Sequence, residues 1–303
     1  MLITLMMSRD KMPNLNNIKK LISETFTGLS IKKIALLGKG KAGTIYLVNG
    51  EIVFKIPLQN EGEIARWQKN EAVVSRFLEG KLEIETPKIL YAASECGLYI
   101  IGESLLSGIP LSYELCDTYD KETKHDIQRQ IGKIVRQLHD IGGNDYSWTG
   151  ENPETPTECI AEFNEKFRAE TAALFSPEER EQVEEIATHY KKISAEAPVP
   201  FVLCHHDLHF GNFMFDAKSK QITGLLDFGC AGYAEPARDW HYYFNAKYVL
   251  EGYGSTNDKY FSDRQKFHAL SHLLDNLNEE IQEKKPHTSL DFIKKYILRG
   301  ETD

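Results

Sequence analysis

Two short stretches of this chain carry the residue types that chemistry needs. Cys204-His205-His206-Asp207-Leu208-His209-Phe210-Gly211-Asn212 places an Asp five residues before an Asn. Leu225-Leu226-Asp227-Phe228-Gly229 follows after the short interval Phe213 to Gly224. Moving a phosphoryl group onto a hydroxyl needs a carboxylate beside the attacking oxygen. It also needs a second carboxylate and an amide oxygen to hold magnesium on the phosphates. Asp207 is the candidate base, and Asn212 and Asp227 are the candidate magnesium ligands. Each also has an ordinary use, since a lone Asp beside His often serves as a cap or turn residue.

The elements that must position these residues can be read outward from them. Val199 to Cys204 reads as a short strand ahead of the first stretch, and Phe213–Phe215 and Ile222–Leu226 as two strands around a turn at 216–221. The two stretches then sit at opposite ends of one hairpin, which draws Asp207, Asn212 and Asp227 towards one point. Far upstream, Ile31–Leu37, Thr44–Val48 and Glu51–Ile56 read as strands, with the turn signal Asn49-Gly50 between the last two and Pro57 after them. Gly38-Lys39-Gly40-Lys41-Ala42-Gly43 therefore lies between antiparallel strands. A dinucleotide-binding GxGxxG must instead open a helix, so that use is excluded. Gly38, Gly40 and Gly43 can let backbone N–H groups approach nucleotide phosphates, or can simply make a flexible hairpin.

Lys55, at the end of its strand, can reach the α- and β-phosphates or be merely exposed. Arg66–Leu78 has a helical apolar face, and Glu71 in its middle is the natural partner for Lys55, with Glu61 and Glu63 as competitors. Lys39 and Lys41 add positive charge near a phosphate or are solvated. Pro87–Ala92 and Leu98–Gly102 complete a small, mostly antiparallel sheet of about five strands, preceded by a short helix over 14–26. Past Glu103 the pattern turns helical, which puts the boundary at 103–108. Helices are expected over 127–139, 159–175, 177–192, 236–251, 263–284 and 289–299.

The chain has 303 residues, a net charge of −9 and five scattered cysteines with no CxxC pair. That length can bury a large core in one or two domains. The negative charge argues against nucleic acid and polybasic membrane contacts and suits a cationic partner. The odd, scattered cysteines argue against a disulfide framework and fit a reducing, cytoplasmic compartment. The apolar start Met1–Met7 is too short for a convincing signal peptide, and no later run is long enough to span a bilayer. Residues 151–185 are rich in Glu, either a solvated helical surface or a wall that attracts a polycation. His205, His206 and His209 lack a closed set of zinc ligands. Asp239 reads as structural, Tyr242, Tyr243 and Phe244 as packing, and neither Cys204 nor Cys230 as a nucleophile.

What carries the reading is order: glycine loop, strand Lys, helix Glu, HxDxxxxN, then DFG. On these motifs the chain resembles the aminoglycoside phosphotransferase family of the protein-kinase-like superfamily. His205–Asn212 resembles the family's H-x-D-L-x-x-x-N, and Leu226–Asp239 its I-D-F-G-x-A-x-x-x-D-P-x-x-D. Gly108-Ile109-Pro110-Leu111 is similar to its G-x-P-L, and Leu138-His139 to its helix-ending L-H. The likeness spans about residues 31–245. His206 stands where Gly is commoner, and Glu235 where Asp is usual.

The resemblance implies an α+β, two-lobed kinase-like fold, with a small antiparallel-sheet lobe over 1–103 and a larger helical lobe over 104–303. It implies Asp207 as base, Asn212 and Asp227 as Mg²⁺ ligands, and Lys55 with Glu71 as the phosphate-positioning pair. It also places the base of ATP or GTP against backbone near Glu103–Leu105. The expected activity is phosphoryl transfer to a hydroxyl of a small cationic substrate, an aminoglycoside, by a cytoplasmic monomer that confers resistance. The spacing from Phe54–Pro57 to Asn70-Glu71 is similar to enzymes that modify the 2″-hydroxyl. Alternatives are a kinase for choline, a methylthiosugar, homoserine or a macrolide, or a nucleotide-binding pseudokinase. The intact Lys55, Asp207, Asn212 and Asp227 disfavour the pseudokinase.

Overall fold

A computed structural model describes residues 14–40, 43–57, 63–95, 97–141, 153–243 and 247–301. They form two compact units, one of residues 1–118 with 210–231, the other of 119–209 with 232–303. Among the described residues, no helix is long and apolar enough to cross a membrane.

The first unit is built on the expected sheet. Strands β1 (Ile34–Lys39), β2 (Gly43–Val48), β3 (Ile52–Pro57), β4 (Ile89–Glu95) and β5 (Leu98–Ser104) lie in the order β1-β2-β3-β5-β4, every pair antiparallel. Register sorts the side chains. Tyr46 lies opposite Phe54 and Val48 opposite Ile52, and this face buries Ile18, Leu21 and Ile22 of α1 (Leu15–Thr25). Burying a side chain such as Phe54, fully inaccessible here, stabilises by about 1.5–3 kcal/mol. Alternation then forces Val53 and Lys55 of β3 onto the opposite face. Val53 lies across from Glu103 and Lys55 across from Ile101, so Glu103 shares the face of Lys55. Helix α2 (Glu63–Leu78) supplies Glu71 to that lysine.

The compact units part company with a division at 103/104. The segment after β5 stays with the first unit, because Ile109–Pro110 pairs with Phe213–Asp216 of the later hairpin. The backbone of Glu85 also bonds Thr223 and Leu225, and its carboxylate accepts from the Ser107 N–H at 2.9 Å and hydroxyl at 3.1 Å. These pairings are remote in sequence, so no local pattern announced them.

The second unit is mainly helical. Its longest helices are Lys121–Ile141, Pro177–Glu196 and Phe261–Gln282. A core of Phe163, Phe175, Val183, Tyr190, Phe267, Leu270, Leu274 and Ile293 joins the last two of these, with Tyr190 and Phe267 stacked at 3.8 Å. Both Thr155 and Ser176 begin helices with complete capping boxes, closed by Glu158 and Glu179. The single helix expected over 159–175 is instead Pro156–Lys166 and Ala169–Ala172, broken where Phe167 leaves helical geometry. The helix expected from Pro236 begins as a 3₁₀ turn to Tyr243, and Lys247–Tyr253 follows as an α-helix. The strand Val202–Cys204 pairs with Gly232–Ala234, a strand that no periodicity marked. Met1–Met7, Glu61, Lys41, Cys96, Glu151 and Phe244, and the side chains of Glu63, Tyr242 and Tyr243, lie outside the described residues.

Candidate active site

Within the first unit, Lys55 is surrounded by carboxylates. Its Nζ donates to Glu71 Oε1 in a close ion pair, and lies 3.5 Å from Glu103 Oε1 and 3.8 Å from Asp227 Oδ1. The pairing with Glu71 agrees with expectation. The part played by Glu103 does not follow from the sequence, since its carboxylate, rather than its backbone, joins the cluster. Glu103 is 2% exposed, and its Oε2 is shielded from solvent with no hydrogen-bond partner. Burial works to lower the Lys55 pKa, but Asp227, Glu103 and Glu71 together hold it well above its ordinary value. Burial pushes the Glu71 carboxyl up to about 8 against the pull of Lys55, and raises that of Glu103 as well. Three carboxyl groups thus crowd one ammonium, and the cluster favours keeping a proton among them.

Asp227 enters this cluster from a strained turn. Its φ of 66° and ψ of 64° lie in the left-handed region that an Asp adopts only at some cost. The loop is held by α2: Asn70 Nδ2 donates to the carbonyls of Gly229 at 3.0 Å and Ala231 at 2.7 Å. A Cβ on Gly229 would stand 3.3 Å from the Cβ and carbonyl oxygen of Trp67. One helix thus positions both Glu71 and the Asp227 loop. Asn212 is buried, and its carbonyl accepts from the Leu226 N–H at 2.8 Å, tying it beside Asp227 in the chain's fold.

The glycine loop separates two roles. A Cβ on Gly43 would fall 2.2 Å from the Ile56 carbonyl oxygen, so strand packing alone requires glycine there. Gly38 and Gly40 have no positive φ, and a Cβ on either would meet nothing within 4 Å. Packing among the described residues makes no demand for glycine at those two. The Gly40 N–H donates to the Gly43 carbonyl at 2.8 Å across the loop mouth. In the segment after β5, the N–H groups of Ser104 and Leu105 already serve Lys88 and Glu51, both at 2.9 Å, while the Leu105 side chain is exposed.

Asp207 belongs to the second unit, where a separate carboxylate shapes its loop. Asp239 is wholly buried. Its Oδ2 accepts from the His205 N–H at 2.8 Å and its Oδ1 from the His206 N–H at 2.7 Å. His139 Nε2 lies 3.1 Å from Oδ2, and Tyr253 Oη 2.9 Å from His139 Nδ1. This geometry fits a Tyr-to-His-to-Asp chain in which the imidazole donates to the carboxylate. Burial alone would raise the Asp239 pKa, but the His139 bond and the neighbouring imidazoles hold it well below the carboxylate range. The structural use expected of Asp239 is thus specific: it grips the two residues before Asp207. The sequence signal was the spacing of Asp239 from DFG, but its target was not legible.

The two departures from the family pattern now have physical addresses. His206 has a φ of 65°, the backbone region where glycine costs least. Glu235 is buried, accepting from Arg264 Nη1 at 2.9 Å and lying 2.5 Å from His268 Nε2. Asp207 is about one-third exposed, with His209 Nε2 at 3.8 Å. The Cys204 thiol is pushed up by burial and by Asp239, and its Sγ lies 4.0 Å from His139 Nε2. A protonated thiol beside a carboxylate whose oxygens are already occupied makes a packing cluster of Cys204, His139 and Asp239, not a thiolate site.

The acidic helical segment also divides. Glu154 is bound to Arg238 at 2.8 Å, Glu158 and Glu179 close capping boxes, and Glu162 pairs with Lys166 at 2.7 Å. Glu165, Glu170, Glu181, Glu184 and Glu185 are exposed.

The model of the phosphotransferase enzyme family matches residues 33–265. The GDP complex of a wild-type aminoglycoside 2'-phosphotransferase-IIIa is similar in structure, with a TM-score of 0.80 at 18% identity, over 95% of this chain and 100% of that one. The streptomycin–ATP ternary complex of APH(2")-IIa gives 0.69 at 18%, over 90% and 95%. The apoenzyme of a macrolide 2'-phosphotransferase from Brachybacterium faecium gives 0.64 at 18%, over 95% and 99%. At these identities the likeness carries the fold, which is kinase-like as expected.

Proposed function

This chain belongs to the phosphotransferase enzyme family and is a phosphotransferase, and on that premise we propose that it moves the γ-phosphoryl group of ATP or GTP onto a hydroxyl of an aminoglycoside. The observation that carries the reading is Lys55, a partly buried ammonium fixed among Glu71, Glu103 and Asp227. A lysine held there by opposite charge presents N–H donors to phosphate oxygens. Gly38 and Gly40 leave the loop backbone open for phosphates to approach.

Asp227 and Asn212 fit a hard divalent cation: one offers a half-exposed carboxylate, the other an amide oxygen. Mg²⁺ held by them would neutralise charge on the phosphates. Asp207 accepts the proton of the attacking hydroxyl, and Asp239 keeps the Asp207 loop in place through the His205 and His206 amides. The exposed carboxylates of the second unit favour an acceptor bearing amines, as does the net charge of −9. The same reading makes the protein a cytoplasmic monomer that protects its cell from the antibiotic. A macrolide acceptor is the second reading, favoured by the macrolide 2'-phosphotransferase among the similar structures.

The test is nucleotide turnover by purified protein with Mg-ATP and Mg-GTP against panels of aminoglycosides and macrolides. Turnover that rises only with aminoglycosides supports the first reading, and a rise only with macrolides replaces it. Asp207→Ala should abolish transfer while Mg-nucleotide still raises the melting temperature; full turnover in that variant would remove Asp207 from the mechanism.

A further inference from the structure

The cluster around Lys55 contains one carboxylate more than a simple lysine–glutamate pair with a nearby metal ligand requires. Strand register sets it there: Glu103 on β5 lies across from Val53, on the same face as Lys55 and one diagonal step away. Its Oε1 is 3.5 Å from Lys55 Nζ, within ion-pair reach but longer than a hydrogen bond. Its Oε2 is buried and unpartnered. A folded protein ordinarily pairs such an oxygen, since leaving it bare costs on the order of 1–3 kcal/mol. A carboxylate kept in that condition at 2% exposure is poorly explained by packing, for a leucine or glutamine would fill the same space more cheaply.

We propose that Glu103 is a second positioning carboxylate for Lys55, acting beside Glu71 to hold the ammonium at a fixed point before the nucleotide binds. The proposal rests on the phosphoryl-transfer reading above. Glu71 approaches the lysine from helix α2 and Glu103 from strand β5, so the two fix the ammonium from different elements. Without Glu103, only Glu71 and the half-exposed Asp227 would hold the long lysine side chain. The arrangement has a counter-effect, because a carboxylate in this position also repels the incoming phosphates. Glu103 therefore trades nucleotide affinity for the placement of Lys55. It acts through the lysine and is not itself a catalytic residue.

Glu103→Gln separates these effects, since it keeps the shape and removes only the charge. Background release of phosphate from Mg-ATP and Mg-GTP, with water as acceptor, is measured for wild type and variant. The expected result is a KM for nucleotide lowered about threefold together with a kcat lowered about tenfold. Glu103→Asp, which keeps the charge, is expected to recover part of the kcat. In the nucleotide-free protein, Glu103→Gln should melt about 2 °C or more above wild type, because the third carboxylate crowding one ammonium, with one oxygen unpartnered, is neutralised. A purely structural role would move both readouts the other way, with a lower melting temperature and a raised KM. Kinetics within twofold of wild type, a lowered melting temperature or failure of the variant to fold would each overturn the proposal. Wild-type protein that neither releases phosphate nor is thermally shifted by either Mg-nucleotide would instead overturn the phosphoryl-transfer reading, and the nucleotide-free melts would still decide whether Glu103 relieves or adds stability.

Discussion

The two units each bury carboxylates, and they treat them in opposite ways. Around Lys55, Glu71, Glu103 and Asp227 crowd a single ammonium, carboxyl pKa values rise, and one carboxylate oxygen has no partner. Around the Asp207 loop, Asp239 accepts from two amides and lies against His139, while Glu154 is bound to Arg238. Burial acts to raise these two pKa values, yet they fall, that of Glu154 to about 2 under the Arg238 charge. A carboxylate whose partners are complete contributes stability. A cluster whose partners are incomplete stores a demand for cations that a metal-bound nucleotide can meet. The first arrangement is the one proposed to receive a metal-bound nucleotide, and the second is the frame that holds a loop.

The comparison is broken most severely at Asp239. Asp239→Ala should strand two buried amides and His139 and cost about 3–5 kcal/mol, read as a lowered denaturation midpoint. A loss below about 1 kcal/mol would show that the frame does not depend on this carboxylate. Next in size, Lys55→Met should lower nucleotide turnover on the order of 100-fold, measured as kcat/KM, while Arg238→Met leaves KM for nucleotide unchanged. Equal effects of the two would erase the distinction between site and frame.

Stability against pH sharpens the contrast, because the two clusters slope in opposite directions. Glu71 has a raised folded pKa, so the native state keeps a proton that the unfolded chain gives up. Its contribution is full below the ordinary carboxyl range and is lost as pH rises towards about 8. Glu154 has a lowered folded pKa, so its contribution is present above that range and is lost as pH falls towards about 2. Denaturant midpoints across pH should therefore fall at both ends. Glu71→Gln should flatten the decline between the ordinary carboxyl range and about pH 8 and leave the acid limb in place. A slope unchanged by Glu71→Gln would assign it to other groups.

The smallest expected effect is at Asn70. Asn70→Ala removes two hydrogen bonds to the Asp227 loop and should cost about 1–2 kcal/mol. It should also raise the KM for Mg-nucleotide without altering unfolding of the second unit. A change confined to the second unit would contradict the assignment of Asn70 to the loop.

Much of the candidate site was legible because its parts are local or ordered along the chain. The five-residue step from Asp207 to Asn212, DFG at Asp227, and the hairpin around the glycine loop all lie within short windows. So do the capping boxes at Thr155 and Ser176, where one side chain answers an amide three residues away. The pairing of Lys55 with Glu71 was reached through a strand and the helix after it. Tertiary structure alone decided what register and long loops decide. It put the Glu103 carboxylate on the lysine, because pairing of β3 with β5 sets which side chains share a face. It brought Asp239 under the amides of His205 and His206, more than thirty residues back along the chain. And it returned 210–231 to the first unit through bonds to Glu85, Ser107 and Ile109. Residue type and spacing determined which groups could do the chemistry. Which of their charges meet partners within the chain depends on neighbours that only folding supplies.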